Sequence, residues 1–375
     1  MYATALLCGG FLGAAAQATE PPTAEQMAGW SAEQWADVAI AESFKVEGNT
    51  RLEIQAYACQ ALAALPARRS DVLKMFDDAR AVLDNLRTDD LEEEFAEVRG
   101  QWVYALSRLG EDARIDEFIG SDDKPAMRMS VLLQAVWGAV ESGDTERAGR
   151  RLAEMDRGLE LLAPQARDSV SVSVAFIHLF VEAPHVAEQH LEALNDPSMK
   201  LLGLYAGAGL ALDLGQRDVA EQWLARAESL IAAHPDGATE NAPYRAVVHA
   251  RLGRFARAEG FAGDLIEFER VWAWCNVAAA YHRAGHSEKA DWWLSQSLGI
   301  TSGQRAHGQW RTPTEVALQW AELGQGYRAC HRFEGLAEVW ERAETPLNRG
   351  MLAARIAKAM TWEQWVAQQA ASIND

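Results

Sequence analysis

A glycine recurs along the chain between stretches that have the spacing of amphipathic helices. These glycines stand at near-regular intervals and are Gly110, Gly143, Gly215, Gly253, Gly285 and Gly324. A small or apolar residue follows five positions after each, namely Ile115, Ala148, Ala220, Ala258, Ala290 and Ala329. Glycine ends a helix well because it adopts the left-handed conformation without steric cost. The pattern therefore predicts a series of helical hairpins, each broken at its glycine.

Apolar residues recur at spacings of three and four almost throughout, whereas the alternation typical of strands is nearly absent. Several hydroxyl residues stand three positions before a Glu or Gln, as in a capping box, and these are Thr23, Ser31, Thr312 and Thr361. Proline is scarce, with 11 residues in a chain of 375. The sequence therefore predicts an all-α fold.

The number of residues between successive hairpins alternates regularly. A further hairpin lacks the glycine but places Ala187 at the anchor position, so that short and long intervals between anchors alternate. The extra residues of the long intervals follow the second helix of every other hairpin, as in "DRGLELLAPQARD" at 156–168. We therefore expect long connections that project from one edge of a stacked, elongated α-solenoid.

The stretch 271–304 carries the fullest version of the repeat. Its large residues, small residues and break follow one another as Trp274, Val277, Ala278, Tyr281, Gly285, Ala290 and Leu294. This arrangement resembles the tetratricopeptide repeat, in which large residues fill the space between two antiparallel helices. At hairpin level the resemblance covers residues 96–345, and a Sel1-like or another α-hairpin family remains open. It implies a superhelix whose concave face binds a protein or peptide.

The chain divides into three parts. Residues 1–18 have the character of a signal peptide, residues 19–47 of a linker with a short capping helix, and residues 48–375 of the repeat domain. Within the repeat domain, residues 48–86 fit a looser hairpin and residues 347–371 a terminal one. Both ends are therefore expected to act as caps.

The first 18 residues carry no charge and end in Ala16-Gln17-Ala18, a pattern that suits signal peptidase. They predict export to the periplasm or the cell exterior. The basic residue that normally opens a signal peptide is missing, since the first Lys or Arg is Lys45. An uncleaved N-terminal membrane anchor is the alternative, and we expect no transmembrane segment after it.

The net charge of −19 makes nucleic acid an unsuitable partner, because phosphate binding depends on clustered Lys and Arg. Three cysteines, Cys59, Cys275 and Cys330, lie inside apolar helical runs and are expected to be small buried hydrophobic residues. One disulfide pair in an oxidising compartment remains an alternative.

The motifs of common catalytic and cofactor sites are missing from the sequence. It contains no H-E-x-x-H, no C-x-x-C and no G-x-x-x-x-G-K-[ST]. His282 and His286 are four apart, but Gly285 lies between them and is expected to end the helix. We therefore expect no metal site, no cofactor and no catalytic residue.

A partner-binding surface is predicted on the groove face of the repeats. In the register of the resemblance, Trp272, His282 and Arg283 lie on this face, and Tyr205 occupies it two hairpins earlier. Arg251 matches Arg283, since each stands two residues before its glycine. In tetratricopeptide adaptors such basic residues clamp a peptide carboxylate, a task that suits a guanidinium fork. The opposing interpretation is core packing for Trp272 and complementation of the helix dipole for the arginines.

These features predict a non-catalytic, exported scaffold that binds a protein or peptide on its concave face, within a cell-envelope assembly. One alternative is a secreted α/α-toroid enzyme, a glycosidase or lyase that acts on polysaccharide and carries paired carboxylates in long loops. Another is a structural spacer without a ligand groove. An open superhelix favours the scaffold, whereas contact between the first and last hairpins around a carboxylate-lined pit favours the toroid.

Overall fold

The computed structural model describes residues 21–85, 92–119, 125–181, 183–234, 240–263, 265, 267–303 and 313–373. All regular structure in these ranges is helical, and they contain no strand. The predicted all-α fold is therefore confirmed. The predicted signal peptide, residues 1–18, lies outside the described residues.

The described residues form nineteen α-helices, numbered in chain order. An inner layer consists of the odd-numbered helices from α3 onward. These are α3 (Gly48–Leu62), α5 (Glu92–Leu109), α7 (Pro125–Glu141), α9 (Pro164–Phe180), α11 (Pro197–Asp213), α13 (Ala242–Arg251), α15 (Glu267–Arg283), α17 (Pro313–Ala329) and α19 (Pro346–Ile373). The remaining helices are α1 (Ala24–Gly29), α2 (Ala32–Ser43), α4 (Arg69–Asn85), α6 (Asp112–Phe118), α8 (Thr145–Leu159), α10 (Pro184–Glu192), α12 (Arg217–Ala233), α14 (Phe255–Gly263), α16 (Ser287–Gly303) and α18 (Phe333–Arg342). Each inner helix contacts the next inner helix, and from α4 onward each outer helix packs on the inner helix before it.

Capping side chains start the first two helices as the sequence predicted. The Gln26 N–H donates to the Thr23 hydroxyl at 3.2 Å, and the Thr23 N–H donates to the Gln26 side-chain oxygen at 2.8 Å. The same reciprocal pair joins Ser31 and Gln34. Residues 19–47, expected to be a linker with one short capping helix, thus hold two helices in their described part.

Five of the six predicted glycine breaks end a helix in the structure. Their φ angles lie between 73° and 83°, and they are Gly110, Gly143, Gly215, Gly253 and Gly285. After each glycine, the next N–H donates back to a carbonyl in the preceding helix, as Glu111 does to Leu106 at 3.1 Å. This hydrogen bond defines a Schellman motif, so the five turns share one geometry.

The prediction that Gly324 is the sixth break is wrong. Gly324 lies inside α17, where a Cβ atom would be 3.0 Å from Leu352 Cδ1 on α19. The two helices approach closely at this point. Gly324 therefore serves helix packing and leaves the chain direction unchanged.

The sixth hairpin turn lies at His331, which adopts a φ of 54°. The Arg332 N–H donates to the Tyr327 carbonyl at 2.9 Å, in the same Schellman geometry. The anchor consequently moves from Ala329 to Leu336, which is fully buried. The other predicted anchors are confirmed as fully buried residues, and these are Ile115, Ala148, Ala187, Ala220, Ala258 and Ala290.

The two kinds of turn residue should respond oppositely to substitution. We expect Gly285→Ala to lower the free energy of unfolding by about 1–2 kcal/mol, because a Cβ atom is strained in the left-handed conformation. His331→Gly removes that strain and should raise the free energy by up to about 1 kcal/mol, less the entropy that glycine adds to the unfolded chain. Urea titration followed by circular dichroism measures both values. A stabilised Gly285→Ala variant would contradict the shared turn geometry.

The alternation of repeat length resides in the outer helices. Helices α6, α10, α14 and α18 have 7, 9, 9 and 10 residues. Helices α4, α8, α12 and α16 have 17, 15, 17 and 17 residues. The expected long loop at 156–168 is wrong, since α8 continues to Leu159 and α9 begins at Pro164. The extra residues there extend a helix that packs on α7.

The two ends of the hairpin series meet. Helix α19 contacts α17 on one side and α3 on the other, and α2 packs against both α19 and α3. Trp35 of α2 lies edge-on to Trp340 of α18, with ring centroids 6.1 Å apart. The N-terminal α2 thus supplies the outer helix of the last hairpin, and the inner helices form a closed circuit. This closure differs from the predicted elongated solenoid, because each end covers the apolar face of the other.

The last helix is longer than predicted. Residues 347–371, expected to form a terminal hairpin, lie in one helix of 28 residues. Thr361, predicted to cap a second helix, lies inside it and donates its hydroxyl proton to the Lys358 carbonyl at 2.9 Å. Since α17 has 17 residues, α19 is longer by roughly 16 Å at a rise of about 1.5 Å per residue.

Core positions inferred from the sequence are confirmed at several points. Cys59, Cys275 and Cys330 are buried and free of disulfides. Trp274 packs edge-on against Trp293 with ring centroids 5.3 Å apart, so these indoles fill the space between α15 and α16. The dense Trp stretch is therefore mainly a packing feature.

Candidate functional site

The inner helices end at one face of the circuit, and their last turns carry charged residues at equivalent positions. Two residues before their hairpin turns stand Arg108, Glu141, Asp213, Arg251 and Arg283. Successive inner helices run in the same direction, since one outer helix separates each from the next. These side chains therefore meet at one end of the space that the inner helices enclose, which we term the lumen.

Most of these equivalent residues pair with a neighbour in the circuit. An Arg108 Nη1 atom lies 3.2 Å from Glu141 Oε2, and an Arg251 Nη1 atom lies 2.9 Å from Asp213 Oδ2. The pattern breaks after Arg283, because the matching position on α17 is Ala329. Among the described residues, Arg283 has neither an ion pair nor a side-chain hydrogen bond.

A cavity of about 340 Å³ lies beside Arg283, and three carboxylates on its walls form ion pairs with arginines. Asp213 pairs with Arg251, Glu363 of α19 pairs with Arg328, and Glu322 pairs with an arginine of α19 behind the wall. Each lining carboxylate is thus engaged by a guanidinium. Arg283 is the lining cation, within the described part of the chain, that no carboxylate contacts directly, although the charges of Asp213 and Glu363 stabilise it in part.

The surroundings of Arg283 disfavour its charge. Burial by the crowded concave wall lowers the pKa of this guanidinium, and the positive charge of Arg251 lowers it further. The side chain is nevertheless exposed to solvent in the lumen. A bound anion would relieve both effects, because opposite charge stabilises a partly desolvated cation.

A second cavity of about 290 Å³ adjoins the first and has aromatic walls. Its rings include those of Trp137, Phe180, Tyr244, Trp272 and Trp362. The centroids of Tyr244 and Trp272 are 5.1 Å apart, and those of Phe180 and Trp362 are 5.5 Å apart. The two cavities share Asp213 and Arg251 on their walls. The lumen therefore offers an apolar surface next to a charged one.

A third cavity of about 310 Å³ lies on the other side of α19. Arg108, Glu141 and Trp365 line it. On the preceding turn of α19, the Lys358 ammonium group lies 4.6 Å from the ring centroid of Tyr104. Burial lowers the pKa of Lys358 to about 8, although the nearby Glu141 opposes this shift. The C-terminal half of α19 thus divides the lumen into separate cavities.

Four of the five predicted binding residues share this region. Arg251 and Arg283 line the charged cavity, and Arg251 and Trp272 line the aromatic one. Arg251 is already engaged, since it donates to the Gly209 carbonyl at 3.0 Å and to Asn276 Oδ1 at 3.2 Å, as well as to its carboxylate. The structure therefore leaves Arg283 as the free member of the predicted pair.

Of the other two predicted residues, Tyr205 also lines the aromatic cavity, whereas His282 lines neither the charged nor the aromatic cavity. Tyr205 is fully buried, and its hydroxyl donates to Glu228 Oε1 at 3.0 Å. Burial opposes ionisation of Glu228, yet the nearby His249 imidazole and the hydrogen bonds from Arg245 outweigh it and lower the pKa of this carboxyl to about 2. His282 is directed toward the ring of His331, 5.6 Å away, at the α15–α16 turn. These residues serve packing between hairpins.

Sequence reasoning missed Arg328, Glu322 and the α19 residues Trp362 and Glu363. The misplaced break at Gly324 put the end of α17 too early, so Arg328, three residues before the true turn at His331, was assigned to the second helix of the hairpin. The α19 residues join the site only through contacts between the two ends of the chain. The run of "TWEQWV" beginning at Thr361 was the available signal, since it is aromatic and acidic on a single helix.

The described residues contain no cluster of His, Cys, Asp and Glu that could hold a metal ion. None of their helices combines the length and the hydropathy required to cross a bilayer. No protein-family model, curated protein or solved structure matches the chain. The tetratricopeptide resemblance accordingly stays a prediction from the sequence.

Proposed function

We propose that the protein is a non-catalytic binding module that takes the acidic end of a peptide or protein segment into its lumen. The observation that carries this proposal is Arg283, which lies beside an accessible cavity and has no ion pair or side-chain hydrogen bond within the described residues. A guanidinium presents several N–H donors in a planar fork, which matches a carboxylate in two-point contact. The resemblance to tetratricopeptide proteins and the export implied by residues 1–18 belong to the same proposal.

The size and lining of the cavities support a peptide ligand. A volume of about 340 Å³ is at the small end of the range for ligand sites, so it suits the terminal residues of a chain better than a folded partner. The adjoining aromatic cavity would accept an apolar side chain next to the anchored carboxylate. Recognition by one charge and one apolar group fits an extended segment.

Calorimetric titration tests the proposal with two short peptides. One is acetyl-Ala-Ala-Asp-Asp with a free carboxyl end, and the other is acetyl-Ala-Ala-Asn-Asn with an amide end. We expect binding of the first only, and Arg283→Gln should weaken it at least tenfold, because a charge-assisted hydrogen bond contributes about 1.5–3 kcal/mol. Arg217→Gln, a matched change on the exposed face of α12, should leave the affinity unchanged. Equal affinity for wild type and Arg283→Gln would refute the site.

The same variants distinguish a ligand site from a structural one. Without ligand, Arg283→Gln should leave the melting temperature unchanged or raised, because the folded state disfavours this cation. Arg251→Gln should lower it, since that arginine donates to Gly209, Asn276 and Asp213. A marked loss of stability in Arg283→Gln would indicate a structural role.

One observation favours the alternative of a polysaccharide-degrading toroid, namely closure of the circuit through α2 and α19. Glycoside hydrolysis requires two carboxyl groups that flank the scissile bond. The charged cavity offers Asp213, Glu322 and Glu363, and an arginine engages each of them. The lumen is also divided by a helix where a toroid enzyme needs an open pit. The geometry therefore favours binding over hydrolysis.

A further inference from the structure

The two halves of α19 differ in how they are held. In the first half, residues 346–357, a run of fully buried side chains packs against α17, α2 and α3, and these are Met351, Leu352, Ala353, Ala354, Ile356 and Ala357. In residues 359–369, Thr361 and Trp365 are the buried side chains. We term residues 359–373 the lumen segment. The first half belongs to the core, whereas the lumen segment is amphipathic.

A few side chains attach the lumen segment to the lumen wall. Glu363 receives two hydrogen bonds from Arg328, one of them 3.0 Å long. On the opposite side, Trp362 and Trp365 both pack on Phe180, with ring centroids 5.5 and 5.4 Å from it. The wall formed by α9 and α17 thus binds one carboxylate and two indole rings that lie close together on one helix.

These attachments leave polar groups unsatisfied. Within the described residues, neither the buried Trp365 indole N–H nor the buried Arg328 Nε has a hydrogen-bond partner. Glu363 is 54% exposed, so solvent screens its ion pair. Arg349 Nε and Arg355 Nε in the preceding half also have no hydrogen-bond partner in the described part of the chain, so the difference between the halves is one of burial. With fewer buried side chains, the lumen segment is held less firmly than the half of α19 that precedes it.

We propose that the lumen wall is a receptor for an amphipathic helix that carries an acid between two tryptophans, and that the chain's own lumen segment occupies this receptor until a partner helix replaces it. The lumen segment shows which chemistry the partner helix needs. To displace this segment, the partner helix must present an anionic side chain to Arg328 and aromatic rings to Phe180. This inference rests on the proposed binding function. It adds that access to the lumen is controlled from within the chain.

Release of the lumen segment in the full-length protein tests the proposal. The releasing variant is Glu363→Arg/Trp365→Ser, which removes the anion and one ring. The control is Glu341→Arg/Trp292→Ser, which makes the same changes at exposed positions on α18 and α16. The probe is a fluorescent peptide with the sequence of residues 359–375. We expect the releasing variant to bind it at least tenfold more tightly than either the wild type or the control. Equal binding by all three proteins would overturn the proposal.

Hydrogen exchange provides a second measurement that requires no variant. In the wild type, amides of residues 359–373 should exchange at least tenfold faster than those of residues 346–357. Addition of the unlabelled peptide in excess should increase exchange in the chain's own segment. Equal, slow exchange in both halves would show that α19 is one rigid element and would overturn the proposal.

The outcome is separable from that of the short-peptide titration. The probe peptide engages Arg328 and Phe180, so Arg283→Gln introduced into the releasing variant should not abolish its binding. Binding of the probe without any Arg283-dependent binding of acetyl-Ala-Ala-Asp-Asp would support the helix receptor and refute the carboxylate site. The reverse pattern would refute the helix receptor alone.

Discussion

Substitution of Gly138 by alanine is expected to lower the free energy of unfolding by about 3 kcal/mol, the upper part of the range for overpacking. A Cβ atom at this position on α7 would be 2.4 Å from the Tyr104 carbonyl oxygen and 2.8 Å from Ser107 Cβ. It would also be 3.0 Å from the Arg108 backbone nitrogen. Because two of these atoms belong to the backbone of α5, no rotamer change can remove the clash.

The expected loss extends beyond the clash itself. Ser107 of α5 donates its hydroxyl proton to the Ala135 carbonyl of α7, close to the point of contact. Separation of the helices would break this hydrogen bond between buried groups, at a cost of about 1–3 kcal/mol if the carbonyl finds no other partner. The larger Gly138→Val should therefore destabilise the protein more than Gly138→Ala does.

Gly149 provides the matched control. It also lies within a helix, α8, but a Cβ atom there would have no neighbour within 4 Å. Gly149→Ala should raise the free energy of unfolding by up to about 1 kcal/mol, because alanine has the higher helix propensity. Urea titration of the two variants gives the comparison. Similar effects for both would show that α5 and α7 are further apart than described.

The elements that sequence reasoning predicted well are those set by local rules. A glycine in the left-handed conformation and a small residue five positions later are both features of a single hairpin. Five glycine breaks and six anchors were therefore found without knowledge of the whole fold. Gly324 failed because a glycine also permits close helix packing, and the sequence does not distinguish the two uses.

The features that were missed depend on contacts between distant parts of the chain. Closure of the circuit requires α2 to match the apolar face of α19, and no local pattern records that match. Residues 347–371 contain a capping-box sequence at Thr361, yet the helix continues because packing outweighs this weak signal. Extra residues after each long outer helix were assigned to loops, although α8 shows that they extend the helix.

The candidate site also combines features that the local repeat pattern predicts with features that depend on distant contacts. Arg251 and Arg283 were predicted because the repeat register places them at equivalent positions. Which of the two is free depends on the neighbouring hairpins, where Asp213 stands beside Arg251 and Ala329 beside Arg283. The contribution of Glu363 required knowledge of where the last helix lies. The sequence thus predicted the residue type of the site but not its electrostatic balance.

Loss of the Glu141 carboxylate is expected to cost about 3–5 kcal/mol of stability, the range for breaking a buried ion pair from one side. The side chains of Arg108 and Glu141 are 7% and 4% exposed, and their charged atoms are 3.2 Å apart. Glu141 also lies near the ammonium group of Lys358. Glu141→Ala would therefore leave two cations crowded in a poorly hydrated wall.

Replacement of both partners should be far less harmful. Arg108→Leu/Glu141→Leu removes the ion pair as a whole, so Lys358 loses the attraction of Glu141 and the repulsion of Arg108 together. Buried pairs replaced by apolar residues are often neutral or even stabilising. We expect this double variant to recover most of the stability that Glu141→Ala loses. If the effects of Arg108→Leu alone and Glu141→Leu alone simply add up to that of the double variant, the pair is not coupled.

Glu146→Ala serves as the control for this series, because its ion pair with Arg150 has the same chemistry on an exposed surface. The two side chains are 85% and 58% exposed, and they stand one helical turn apart on α8. Such pairs contribute about 0.3–0.5 kcal/mol, so the control should fall within that range. High salt should reduce the Glu146 effect and leave the Glu141 effect nearly intact, since mobile ions screen exposed charges more than buried ones. Equal salt sensitivity would place Glu141 in contact with solvent and would contradict the burial of its pair with Arg108.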